Sequence, residues 1–285
     1  MANLRDIRKR IASIKNTQTI TRAVQMVAAA KLRRAQENIW RNRAYADKMD
    51  KVIASLAGRA DRSSHPLLAE RQVRNVELVI ITGDRGLCGA FNANIMARAE
   101  QYMEENSNQY KGFSLICIGN KGWDYFRKRR VNIRNSFRDI MGKVQYENAA
   151  VIGEDLIQAF TTGLCDQVTL FYNYFQSTAT QVPTVKQLLP FEAGKTEESA
   201  VDYLYEPKEK DILNALLPRQ IMAQVFRSLL ESAAAEHAAR MTAMDNATSN
   251  CKEIIEYLTT MYNKERQASI TREMIDIIGG AEALK

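Results

Sequence analysis

Residues 1–57 contain neither proline nor glycine, and the same is true of Arg219–Ile278. Every proline lies between Pro66 and Pro218. Apart from Gly58, the glycines fall between Gly83 and Gly194 or in the Gly279–Gly280 pair. Stretches of this length without either breaker predict two very long helices at the ends of the chain, around a middle that turns often.

The apolar spacing adds a partner for each helix. In the first arm, steps of three and four pick out Leu4, Ile7, Ile11, Ile14, Gln18, Thr21, Gln25, Ala28, Leu32, Ala35, Ile39, Asn42, Ala46, Met49, Ile53 and Leu56, with the polar members concentrated between Gln18 and Gln25. In the last arm, one such row runs Leu230, Ala234, His237, Met241, Met244, Thr248, Cys251, Ile255, Leu258 and Tyr262. A period near 3.5 sustained over this many turns predicts a left-handed coiled coil. Because the arms are the two ends of one chain, an antiparallel pair is the economical arrangement, with pairing between chains as the alternative. About 57 helical residues at roughly 1.5 Å each span about 85 Å. A globule of this chain length would be roughly 50 Å across. The expectation is a rod carrying a knob.

The middle alternates strand and helix signals. Strand-like runs are Glu77–Thr82, Phe113–Gly119, Val168–Phe175 and Val182–Leu189, and helical stretches lie near Ala90–Glu105, Lys121–Arg129 and Asn148–Thr161. That order predicts an α/β unit with a largely parallel sheet. The QSTATQ segment between the last two runs predicts a hairpin and an antiparallel edge. The domain reading is residues 1–66 for the N-terminal coiled-coil helix, 67–207 for a Rossmann-like α/β domain, and 208–285 for the C-terminal coiled-coil helix.

Within the middle, the run ITGDRGLCGAFN (Ile81–Asn92) follows the apolar VELVIIT. A glycine turn between a strand and a helix can cradle a phosphate on its backbone N–H groups. Here the glycines are spaced GxxGxxG, neither GxGxxG nor GxxxxGK[ST], and no lysine follows the last one. The spacing favours a structural turn, in which Asp84 and Arg85 satisfy local N–H groups or pair with neighbours. A nucleotide site is the rival reading.

Other chemistry is sparse. The cysteines Cys88, Cys117, Cys165 and Cys251 form no CxxC pair, which points to reduced thiols. The only histidines are His65, in a connecting loop (SSHPLL), and His237, on the coiled-coil row as a partly buried spacer with its tip at solvent. Metal motifs such as HExxH are absent. RKRR (Arg127–Arg130) reads as a solvated helix end. The start, MANLRDIRKRI, has charges where a signal peptide would be apolar, and no apolar run is long enough for a membrane span.

Charge is placed unevenly. Residues 1–62 hold fifteen Lys/Arg against five Asp/Glu, and the remainder holds twenty-five against twenty-eight. The basic arm implies a partner with an acidic surface, either protein or nucleic acid. In the last arm, NKERQASITREM carries Arg266, Gln267, Ser269 and Thr271 within six residues, which exceeds what coiled-coil packing requires. Such a cluster suits specific contacts with something surrounding the rod, and equally suits plain exposure to solvent.

Three blocks resemble the gamma subunits of bacterial F-type ATP synthases. They are RDIRKRIASIKNTQTITRAVQMVAAAKLRRAQ, TGDRGLCGAFN, and AARMTAMDNATSN with YNKERQASITREMIDIIGGAEAL. The resemblance spans nearly the whole chain. It implies the central rotor stalk of the complex, present in one copy, without an active site, cofactor or metal of its own and without nucleic acid. Its implied partners are the alpha and beta subunits, the epsilon subunit and the c ring, at the cytoplasmic face of the bacterial inner membrane. By the same resemblance, Arg266, Gln267 and Thr271 match the group contacting the alpha/beta ring, and the basic arm is similar to the part facing acidic levers of the beta subunits. Tyr205 and Glu206 match part of the foot near the c ring and epsilon. Val24 stands where the family often has methionine, so no role is carried over to it. The cysteine-containing regulatory insertion of chloroplast relatives has no counterpart.

Overall fold

The computed structural model describes residues 4–59, 65–69, 71–191 and 209–282. Ten elements follow one another: helix α1 (Leu4–Arg59), strand β1 (Asn75–Ile81), α2 (Phe91–Glu105), β2 (Gly112–Ile118), α3 (Asn120–Lys128), β3 (Ile133–Phe137), α4 (Tyr146–Thr161), β4 (Gln167–Phe175), β5 (Gln181–Leu189) and α5 (Glu209–Glu282). Contacts group the chain into two compact units, Met1–Ala28 with Met241–Lys285, and Ala29–Arg240.

In the first unit, α1 and α5 pair antiparallel. Arg8 donates to the Tyr262 hydroxyl at 2.6 Å, the hydroxyls of Thr21 and Thr248 lie 2.7 Å apart, and Gln25 donates to Asp245 at 2.8 Å. Each step along α1 is matched by an almost equal step back along α5, as a fixed register requires. Ile7, Met244 and Leu258 are buried along the same stretch of the two helices. The polar interruption at Gln18–Gln25 is thus a hydrogen-bonded stretch of the seam. A partly buried hydroxyl or amide left unbonded there would cost about 1–3 kcal/mol.

The second unit is built on a five-stranded sheet of order β3-β2-β1-β4-β5. The first four strands are parallel, and β5 returns antiparallel to β4 through the expected hairpin. Along β1, side chains alternate between two cores. Val79 and Ile81 face α4 and α5 with Ile152, Leu156, Leu217 and Ile221. Leu78 and Ile80 face α2 and α3 with Ile95, Ala99 and Phe126. Burial on both faces is why β1 reads as a continuous apolar run.

Strand β3 departs from the sequence expectation, and α5 passes through a residue that ordinarily ends a helix. Strand β3, IRNSF, carries no apolar run because Arg134, its second residue, serves an internal ion network. Its guanidinium bonds Glu77 of β1 at 2.5 Å and Asp155 of α4 at 2.5 Å, and Glu77 is fully buried. Helix α5 begins nine residues before Pro218 and runs through it. Leu213, Leu217, Ile221, Val225 and Leu229 recur every fourth residue and are buried against the sheet and α4. At roughly 1.5–3 kcal/mol each, the five together outweigh the ~3 kcal/mol cost of an interior proline. Close passage of α5 over α4 uses Gly153, where a Cβ would come within 2.8 Å of Met222.

Candidate functional sites

The turn after β1 is stitched to the protein's own groups. Asp84 accepts the backbone N–H of Asn120, the first residue of α3, at 3.2 Å, and those of Asp139 and Met141 at 3.0 Å each. A carboxylate at a helix N-terminus takes the place that a bound phosphate takes in nucleotide-binding folds. Beside it, the Thr82 hydroxyl donates to the Ile118 carbonyl and accepts from the Gly122 N–H, both at 2.9 Å. Gly119 has φ of 89°, and a Cβ there would approach the Thr82 carbonyl oxygen to 2.2 Å. The ends of β1 and β2 are therefore closed by direct contact.

The strand order reverses between β1 and β4, and the crevice outside their carboxyl ends is where such sheets bind ligands. Here α5 lies across it. Glu231 accepts the backbone N–H of Phe175, at the end of β4, at 3.4 Å. Arg240 donates to the Gly86 carbonyl at 3.2 Å and to Glu236 at 2.5 Å. Ala235 and Ala239 pack on Cys88, Phe91 and Phe175. Glycine at position 83 leaves room for this approach, since a Cβ would lie 2.9 Å from the Glu236 carboxyl carbon and the Glu236 side chain would have to shift. The turn is a docking joint for α5. The structural reading of ITGDRGLCGAFN is the one the geometry supports, and sequence could not reveal its occupant, which lies some 150 positions downstream.

Burial raises the pKa of Glu236, opposed by Arg240 and Lys31 and reinforced by Asp84. Its neighbour His237 departs from the sequence reading. Its tip is not at solvent: the residue is 8% exposed and Nδ1 has no hydrogen-bond partner. Burial, with Arg240 and Lys31 adding to it, lowers its pKa to about 4. His65 lies in a turn, as expected, and its Nδ1 accepts the Leu67 N–H at 3.1 Å. The RKRR run is more than a solvated helix end. Arg127 stacks 4.3 Å over Trp123, while Arg129 sits 3.6 Å over Tyr125 and bonds Glu100 at 2.8 Å. All four cysteines are unpaired and buried, and burial pushes Cys117 and Cys165 up to about 12.

At the end of α5, Arg266, Gln267 and Thr271 are exposed, and the Thr271 hydroxyl donates to the Gln267 carbonyl at 2.9 Å. Gln267 and Thr271 lie about 40° apart around the helix, with Arg266 about 100° from Gln267. The side chains of Ile270, Met274, Ile275, Ile277 and Ile278 are 51–72% exposed. With Gln267 and Thr271 they fill an arc of roughly 160°, and Ser269, Arg272, Glu273 and Asp276 occupy the rest, with Arg266 at the boundary. Tyr205 and Glu206 lie outside the described residues. No helix among the described residues is long and apolar enough to cross a membrane.

A family model described as ATP synthase matches residues 3–284. The chain is 47% identical to an ATP synthase gamma chain of Anaeromyxobacter sp. and 44% identical to one of Trichlorobacter lovleyi, in each case over the full length of both chains. Among solved structures it is similar to a chain of the central stalk and c-ring of the Tetrahymena thermophila mitochondrial ATP synthase. That match has 26% identity and a TM-score of 0.61, covering 80% of this chain and 99% of that one. It shares its fold with a chain of the Euglena gracilis mitochondrial ATP synthase, with 23% identity and a TM-score of 0.72, over 99% of this chain and 94% of that one. A joint that fills the usual ligand crevice with the protein's own helix, paired terminal helices, and full-length relatives agree: this chain belongs to the ATP synthase gamma chain family.

Proposed function

We propose that this chain, as a gamma subunit of ATP synthase, couples rotation of the c ring to the catalytic cycle of the alpha/beta ring by presenting a different face to each of three equivalent neighbours. The full-length family match carries this reading. The uneven circumference of the α5 end supports it, since one arc is apolar with two polar breaks and the other is charged. A neighbour facing the apolar arc stabilises a different state from one facing the charged arc, and nucleotide affinity follows the state selected. A subunit whose angular position sets this difference is needed in one copy.

Arg266, Gln267 and Thr271 are assigned to contact with the alpha/beta ring, and the basic first arm to acidic surfaces of the beta subunits. Tyr205 and Glu206 are assigned to the foot near the c ring and epsilon. Function divides the chain at 66/67 and 207/208, with residues 1–66 and 208–285 as shaft and 67–207 as the body carrying the foot. The subunit is peripheral, at the cytoplasmic face of the bacterial inner membrane, and held there through the complex.

The test is the double substitution Arg266→Ala with Gln267→Ala in the assembled enzyme. Coupled ATP synthesis should fall at least fivefold, in the range of ordinary coupling energies. The melting temperature of the chain should stay unchanged, because both side chains are exposed. Unaltered synthesis would remove the assignment.

A further inference from the structure

The sheet unit contains a half-enclosed cavity of about 240 Å³ between α1, the turn after β1, the loop after β3 and α5. We propose that this cavity is a binding site for a small oxyanion of the phosphate class, held by side chains rather than by the glycine turn.

The acidic groups of the wall already have donors. Asp84 accepts three backbone N–H groups, Asp139 accepts the Asn120 amide at 2.8 Å, and Glu236 is bonded to Arg240. Every carboxylate in the wall is therefore occupied. Lys31 and Arg85 also line the cavity with exposed side chains, and the Lys31 charge already acts on Glu236. Arg240 shares the wall with its guanidinium largely buried, and the Nδ1 atom of His237 is unpartnered. Lys31 and Arg85 beside the buried Arg240, with the carboxylates of the wall already supplied with donors, leave cationic donors that can turn toward an anion. No cluster of acids or histidines suited to a metal ion occurs among the described residues.

Size narrows the ligand. The volume corresponds to about eight waters at ~30 Å³ each, and lies below the ~300–1,000 Å³ typical of sites for larger organic ligands. It suits a tetrahedral oxyanion with part of its hydration shell. An occupant would bridge α1, the turn and α5, and by binding only the folded chain would raise its stability.

The experiment is calorimetric titration of the full-length chain with inorganic phosphate at pH 7, with circular dichroism confirming the fold of each variant. One saturable site is expected. Lys31→Gln and Arg85→Gln should each weaken it about tenfold or more, the loss of one charge-assisted bond, while Lys15→Gln, on an exposed face of α1 away from the cavity, leaves it unchanged. Glu236→Gln, which frees Arg240, should tighten it several-fold. A parallel titration with ATP separates a free oxyanion from the phosphate of a nucleotide, and ATP should bind no tighter than phosphate. Absence of saturable binding to the folded chain, equal binding by the Lys31→Gln/Arg85→Gln double variant, or tighter binding of ATP would each overturn the proposal. These outcomes leave the coupling assignment untouched, since they are read without the rest of the complex.

Discussion

Arg134 shows how one residue can hold together elements that are far apart in the chain. Burial works against its charge, but hydrogen bonds and charges from Glu77 and Asp155 outweigh that and raise its pKa. Arg134→Met strands the Glu77 charge in the core with only the Ser114 hydroxyl and the Cys165 thiol beside it, and should cost about 3–5 kcal/mol in urea unfolding. Adding Glu77→Leu should return much of that loss, and an unrelieved loss would show that packing rather than charge pairing is at stake. His237 gives a pH dependence. Its pKa is near 4 when folded and near 6.5 when unfolded, so between those values the unfolded chain binds more protons and stability falls as pH falls. Relative to a His237→Gln variant, the native chain should lose about 2 kcal/mol on going from pH 7.5 to 5. Glu236, with its raised pKa, acts in the opposite sense as pH rises above 4.5, and its presence in both proteins cancels it from the comparison.

Among the elements, α5 departs furthest from local propensity because it runs through Pro218. Pro218→Ala restores the missing backbone bond, and unfolding free energy should rise by about 1–3 kcal/mol; a decrease would mean that α5 depends on the distortion. The same contrast explains what was legible in the sequence. The row from Leu4 to Ile39 was readable because its period records the seam, and the structure buries or half-buries every member of it. Strands β1, β2, β4 and β5 were readable because each carries enough apolar residues to mark a buried face. Strand β3 was not, since its polar centre makes sense only beside Glu77 and Asp155. At Pro218 local preference argues against the helix, and burial decides for it. Of the turn, the absence of a phosphate signature was legible, while the role of Gly83 was not, being set by Glu236 on α5.

For the molecule as a whole, the hydrogen-bonded seam implies that α1 and α5 move together where they pair. The Thr21 and Thr248 hydroxyls are 2.7 Å apart, so Thr21→Cys with Thr248→Cys should oxidise to a disulfide readily. Coupled ATP synthesis by the assembled enzyme should survive that bond within about twofold, and its collapse on oxidation, with recovery on reduction, would show that the helices must slide. Helix α5 crossing the β1–β4 crevice has a mechanical meaning. A shaft that only rested on its hub would slip under load. Here Glu236 projects beside Gly83 and Arg240 grips the Gly86 carbonyl, so twist applied to the sheet bears on the helix as a hub bears on a key in its keyway. The crevice in which related folds hold a cofactor has become the fitting through which torque passes.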